Sequence, residues 1–264
     1  MIDLHFSEHE LEARHERITG FIADTVAAAG ADGAVLGLSG GIDSTLTAYL
    51  AVEALGADGL HGLVLPSTVT SDESTSDGER VADLLEIEYD LVAIDPIVES
   101  VVDAAPAVAD DDLAIGNAHA RIRAVLNYLI ANHENRIVLG TGNRSEALVG
   151  YFTKYGDGAV DCHPIGNLYK AQVRQLAAHV GVPQDLVEKT PTAELWADQT
   201  DEDELGVDYD TLDAILALHV DGPLSTHATA QTLDCDLDIV EHVRGLYERS
   251  AHKRQVPSAP EPFD

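Results

Sequence analysis

The chain has 264 residues, with 45% apolar and only 5% aromatic side chains, so a sizeable core must be built from Val, Leu, Ile and Ala. Its 47 acidic residues against 15 basic give a formal charge of −32, which opposes binding to nucleic acid or an anionic membrane surface. Cys162 and Cys235 fit neither a disulfide framework nor a zinc spacing, no run of about 18 apolar residues occurs, and Met1 to Glu10 lacks a signal pattern, so a cytoplasmic protein is expected.

In chain order, Leu11 to Ala29 reads as an amphipathic helix. Gly33 to Leu38 is a short apolar run ending in glycines, which suits a buried strand. Ser44 to Leu55 reads as helix, Leu60 to Leu65 as strand, Ser74 to Glu86 as helix and Tyr89 to Ile94 as strand. Gly116 to Asn132 is a long helix, and Arg136 to Gly140 a further strand. Strands alternating with helices predict an α/β fold: a doubly wound parallel sheet flanked by helices. After Tyr151 the pattern changes. Leu168 to Val180 reads as helix, Pro191 to Gly206 as a polar, acidic and mobile stretch, and Asp208 to His219 and Leu237 to Ser250 as two more helices. Ala251 to Asp264 reads as an extended tail. We read residues 1–264 as a single domain, with an α/β nucleotide-binding core over 1–150 and a helical C-terminal part over 151–264.

The strongest chemical signal is Ser39-Gly40-Gly41-Ile42-Asp43-Ser44, between a strand and a helix. Glycines there let backbone N–H groups approach an anion, and the helix start adds its dipole and unpaired donors. The P-loop pattern GxxxxGK[ST] is absent; Asp43 stands where a lysine would serve phosphate, which makes sense if it holds Mg²⁺.

SGGIDS resembles the pyrophosphate loop of the ATP pyrophosphatases, a superfamily that includes NAD synthetase, GMP synthetase, asparagine synthetase and tRNA-thiolating enzymes. Later segments narrow the resemblance to the NAD synthetase family. These are Gly116-Asn117-Ala118-His119-Ala120-Arg121-Ile122-Arg123, Gly140-Thr141-Gly142-Asn143-Arg144-Ser145-Glu146, Phe152 to Gly158 (FTKYGDG), His163 to Lys170 (HPIGNLYK), Pro191-Thr192-Ala193-Glu194-Leu195 and His252-Lys253-Arg254. The match runs in family order from about Gly33 to Pro257.

The resemblance implies an adenine nucleotide alpha hydrolase-like fold, and ATP-dependent amidation of deamido-NAD with ammonia. The reaction would pass through an acyl adenylate and release AMP and pyrophosphate. It places ATP on Gly37, Leu38, Ser39, Gly40, Gly41, Ile42, Asp43, Ser44, Thr141, Lys170 and Thr192, and Mg²⁺ on Asp43 and Glu146. Asp43, Glu146 and Lys170 are the expected catalytic set. Asp43 and Glu146 follow predicted strands, so both fall at the carboxyl ends of a parallel sheet, where such folds bind ligands. The second substrate is assigned to Arg121, Lys154, Asp161, His252 and Lys253. Arg123, two residues from Arg121, serves ATP or a salt bridge; Arg80 reaches a phosphate or faces solvent. Tyr151-Phe152 packs on a ligand ring or belongs to the core. Cys162 and His163 receive no role.

The resemblance also implies a homodimer. Glutamine-hydrolysing members carry a large extra domain that 264 residues leave no room for, so free ammonia, or ammonia from a separate glutaminase subunit, is expected. Alternatives are another ATP pyrophosphatase, either a GMP synthetase core or a tRNA-thiolating enzyme, or a non-catalytic adenine-nucleotide-binding module.

Overall fold

A computed structural model describes residues 3–192, 200–257 and 259–260. The first element, α1 (Glu8–Ala29), starts at a capping box in which Ser7 and Glu10 satisfy each other's backbone N–H, and ends at Gly30 with φ +63°. Its buried stripe is Leu11, Ile18, Ile22 and Val26, at helical spacing. There follow β1 (Gly33–Gly37), α2 (Ile42–Leu55), β2 (Leu60–Val64), α3 (Asp72–Leu84), β3 (Glu88–Leu91), α4 (Asp95–Asp103), α5 (Asp112–His133), β4 (Arg136–Leu139) and α6 (Arg144–Val149).

The four strands are all parallel, in the order β3-β2-β1-β4. Successive strand residues point to opposite faces, and each face has its own core. Ala34, Leu36, Ile137 and Leu139 join α1 and α2 on one side. Val35, Leu63 and Val138 join Ile94, Val98 and Ile122 from the α4–α5 side. This double cover is why the strands read as unbroken apolar runs, and it agrees with the expected doubly wound sheet.

Beyond α6 come α7 (Lys170–His179), α8 (Gln184–Val187), α9 (Asp201–Leu205), α10 (Tyr209–Ile215), α11 (Thr226–Leu233) and α12 (Leu237–Arg249). A π-helical turn, Leu216–Val220, continues α10. α7 returns to the first core through Val173, Leu176 and Ala177. The later helices build a separate core from Leu205, Tyr209, Leu212, Ile215, Val240 and Val243, to which Val149 and Tyr169 contribute.

Several expectations need correction. β3 ends at Leu91, three residues early, although Val92 and Ile94 still donate to Val64 and Pro66. Among the described residues five helices went unread: α4, α6, α8, α9 and α11. α6 has six residues and α8 four, too few to show a 3.6-residue stripe. The acidic stretch contains α9, capped by Thr200, with Asp201 buried at 4% exposure. The start of the tail is a 3₁₀ turn, Ala251–Lys253.

Candidate active site

The glycine loop leaves the carboxyl end of β1 and enters α2. Gly40 has φ +73°, and a Cβ there would stand 2.3 Å from the Ser74 carbonyl oxygen, so only glycine fits. The loop is held in shape by its own hydroxyls. Ser44 Oγ lies 3.0 Å from Ser39 Oγ and donates to the Gly41 carbonyl, while the Gly41 N–H donates to Ser39 Oγ at 3.3 Å. α2 has Gly41 as its N-cap and no side-chain cap, so its first N–H groups are left for an incoming anion.

Across the sheet, Asn143 caps α6 in a capping box with Glu146. Asn143 is fully buried and its Nδ2 donates to Asp43 Oδ1 at 2.9 Å. It therefore couples the acid of the glycine loop to the acid of α6. Lys170, at the start of α7, closes the set: Nζ donates to Asp43 Oδ2 at 2.5 Å and to Glu146 Oε1 at 3.2 Å, and it lies 5.0 Å from the Tyr209 ring centre. Only 2% of Lys170 is exposed. The three expected catalytic residues thus meet, though they come from three elements up to 127 positions apart.

The electrostatics follow from burial. Desolvation alone would lower the Lys170 pKa, but Asp43 and Glu146 overcome it and raise it, so the ammonium persists. Glu146 is pushed upward mainly by burial, with the charges of Asp43 and Asp201 adding to the effect and Lys170 opposing it. Asp201 is also raised by burial, and it accepts the Tyr209 hydroxyl at 2.8 Å. Three carboxyls around one ammonium leave excess negative charge. Hard oxygen donors with such an excess match Mg²⁺.

Behind Lys170 stands a support that the sequence did not disclose. Asp213 of α10 is fully buried, accepts the Ala171 N–H at 2.9 Å and accepts the Ser145 hydroxyl. Ser145 Oγ in turn accepts the Lys170 N–H at 3.0 Å. One carboxyl of the helical part therefore fixes the first turns of α6 and α7. Burial pushes the Asp213 pKa up to about 6, against these hydrogen bonds. Lys189 is another residue missed in the sequence. Its Nζ reaches Asp77 at 2.7 Å, Ser74 Oγ at 3.1 Å and the Gly40 carbonyl at 3.4 Å, which ties the glycine loop to α3.

A cleft of about 950 Å³ runs from this cluster to the C-terminal turn. Gly37, Leu38, Ser39, Gly41, Ile42, Asp43, Ser44, Thr141, Glu146, Lys170 and Thr192 line one end. Arg121, Lys154, His252 and Lys253 line the other. There the cations donate to main-chain carbonyls: Arg121 to Lys154 at 3.3 Å, Lys154 to His252 at 2.6 Å, and Lys253 to Gly150 and Phe152 at 2.7 Å each. The Lys253 pKa is lowered by burial, with Asp157 opposing the shift. Tyr151 and Phe152 also line the cleft.

Two assigned residues stay outside. Gly40 faces α3, for the steric reason given. Asp161 is taken up by the sheet edge: its N–H donates to the Val138 carbonyl and its carboxylate accepts the Val138 N–H at 2.7 Å. Arg80 pairs with Asp185 and is not among the residues that line the cleft. Arg123 lines the cleft beside Arg121 and donates to the Leu65 carbonyl at 3.0 Å. Cys162 is half-buried, and burial raises its thiol pKa to about 11, so it is no nucleophile. Ala193, Glu194 and Leu195 of the family-like segment lie outside the described residues, as do positions 198 and 199 of the acidic stretch. Asp201 and Glu204 of that stretch line the cleft.

Among known proteins, the family model described as NAD synthase matches residues 14–257. The NH(3)-dependent NAD(+) synthetase of Halobacterium salinarum is 64% identical over 98% of this chain and 97% of its own length. The protein of the same name from Thermococcus kodakarensis is 44% identical over 96% and 98%. Of solved structures, NMN synthetase from Francisella tularensis has a TM-score of 0.84 at 35% identity, covering 97% of this chain and 99% of that one.

Proposed function

The chain belongs to the NAD synthase family, and on that premise we propose that its cleft joins ammonia to the nicotinate carboxyl of deamido-NAD, using ATP and releasing AMP and pyrophosphate. It is a carbon–nitrogen ligase. The observation that carries this reading is the buried Lys170 held between Asp43 and Glu146, beside a glycine loop whose helix-start N–H groups have no side-chain partner.

The chemical need is simple. A carboxylate resists attack by ammonia because its charge is delocalised and its leaving group would be oxide. Transfer to the α-phosphate of ATP gives an acyl adenylate whose leaving group is AMP. The loop from Ser39 to Ser44 and the start of α2 hold the β and γ phosphates by backbone N–H groups. Lys170 adds positive charge where the departing pyrophosphate gains negative charge. Asp43 and Glu146 would hold Mg²⁺, which when bound neutralises phosphate charge and orients the triphosphate. Asn143 keeps the two acids in register, and Ser145 with Asp213 fixes the helix start that carries Lys170. Thr141 and Thr192 stand where they can bond ATP. At the far end, Arg121, Lys154, His252 and Lys253 receive the dinucleotide, and Tyr151 or Phe152 flanks a ring. Most of the rate gain then comes from positioning and charge stabilisation; no side chain has to form a covalent bond.

Val125 and Leu129, four residues apart on one face of α5, are 65% and 61% exposed. This exposed apolar pair supports the homodimer that the family resemblance implies. Free ammonia, or ammonia from a separate glutaminase subunit, is the nitrogen source. Among the described residues no helix is long and apolar enough to cross a membrane; we place the protein in the cytoplasm.

The test is to mix protein, ATP, Mg²⁺ and ammonium in molar KCl with deamido-NAD, or with its nicotinate mononucleotide half, and to resolve the nucleotides. NAD, AMP and pyrophosphate in equal amounts from deamido-NAD are expected. ADP in place of AMP, or turnover of the mononucleotide alone, overturns the assignment.

A further inference from the structure

Far from the cleft, three helices bring together a different set of ligands. Glu12 and His15 sit three residues apart on α1, a spacing that places both on one helix face. His179 ends α7 and comes up against them. One donor atom from each of Glu12, His15 and His179 lies within 4.8 Å of the others. The rings of His15 and His179 are edge-to-face, with centres 6.0 Å apart and an interplanar angle of 80°. His179 Nε2 contacts Glu12 Oε2 at 3.2 Å, and His15 Nε2 contacts Glu53 Oε2 of α2 at 2.6 Å. The histidine side chains are 15% and 24% exposed, and the two glutamates 54% and 56%.

We propose that Glu12, His15 and His179 form a binding site for one borderline divalent transition ion of the Zn²⁺, Co²⁺ or Ni²⁺ class, which clamps α1 to α7. Imidazole nitrogen with carboxylate oxygen is the donor set such ions take, whereas Mg²⁺ prefers oxygen alone. Ligand bonds of about 2.0–2.2 Å require the donors to close in by roughly 1 Å. The half-open side chains can do this by rotation, because none is locked in the core. Glu53 fills the role of the carboxylate that orients a metal-bound histidine ring. An ion at this position would bridge the N-terminal helix and the helix that starts with Lys170, which otherwise meet through apolar contacts such as Leu11 with Leu176 in one core. The net charge of −32 raises the local concentration of any divalent cation.

Metal-stripped full-length protein in molar KCl is titrated with Co²⁺, and the visible d–d absorption and the melting temperature are followed. With Mg²⁺ present in large excess to occupy the carboxylates of the cleft, one Co²⁺ per chain, displaced by Zn²⁺ and accompanied by a higher melting temperature, is expected. His15→Ala and His179→Ala should each weaken binding at least about thirtyfold, and the exposed Glu12→Gln should weaken it about tenfold. All three should retain the NAD-forming rate, which reports that they are folded. Asp43→Asn should leave the Co²⁺ signal in place, since it alters only the cleft. Absence of stoichiometric binding, or binding that survives in the His15→Ala/His179→Ala double variant, overturns the site.

Discussion

The two ends of the cleft use positive charge in opposite ways. At the glycine-loop end, Lys170 is buried and spends its hydrogen bonds on Asp43 and Glu146, so its charge is already answered inside the protein. At the far end, the hydrogen bonds of Arg121, Lys154 and Lys253 go to neutral carbonyls. A carbonyl orients a cation without cancelling it. The first group is an internal ion cluster, and in the proposed function it meets the metal and the triphosphate; the second keeps its charge unanswered by the groups it bonds, as an anion receptor would. In a chain so acidic, the difference shows where each cation is needed.

The sharpest way to break this contrast is to remove the lysine. Lys170→Met should lower the rate of pyrophosphate release by about a thousandfold. It should also cost about 3–5 kcal/mol of stability, because Asp43 and Glu146 lose their buried partner. Steady-state rates and chemical denaturation in molar KCl measure both. A stable variant with near-normal turnover would show that the cluster is not the phosphate end.

Asp213 tests how far that end is strained. Its carboxyl keeps its proton to higher pH in the folded chain than in the unfolded one, so the folded state binds more protons between pH 3.8 and about 6. Stability from this group is therefore present at low pH, falls as pH rises through that window, and is flat above it. The fall should be on the order of 3 kcal/mol in the wild type and absent from Asp213→Asn. Matching slopes in the two proteins would contradict it.

The receptor end should respond more mildly and more selectively. Lys253→Ala or Arg121→Ala should raise KM for deamido-NAD about tenfold, the equivalent of one charged hydrogen bond, and leave KM for ATP nearly unchanged. An equal rise for both substrates would erase the distinction between the ends. The smallest expected effect is on the whole surface. Raising KCl from dilute buffer to molar concentration should lift the melting temperature by several degrees as acid–acid repulsion is screened. An unchanged melting temperature would show that acid–acid repulsion does not limit the fold.

The sequence shows the site better than the scaffold behind it. Asp43 stood out as an acid in a glycine turn, whereas Glu146 and Lys170 were picked out by the resemblance of GTGNRSE and HPIGNLYK to the family's segments. Asp213 was not: Leu212-Asp213-Ala214 in an acidic chain looks like any solvated helix position. Its burial depends on α10 crossing the starts of α6 and α7. Lys189 was hidden for the same reason, since its partners Ser74 and Asp77 are more than 100 positions away. Asn143 stood inside a quoted segment, yet its bridge to Asp43 needs the β1–β4 pairing to exist first. α4 and α11 were unread because Pro96 opens one, and Thr and Ala fill much of the other without an apolar stripe. That Asp161 bonds along β4 was not legible, because nothing local says that residues 161–162 run beside that strand.

The carbonyl partners of Lys154 and Lys253 carry a consequence for how such a protein can change over generations. A side-chain acid beside these lysines could be gained or lost by one base change, and either event would retune their grip on a phosphate. A peptide oxygen is supplied by every residue and survives nearly every substitution. Acidic residues can therefore accumulate over the rest of the exterior while this stretch of the cleft keeps its polarity.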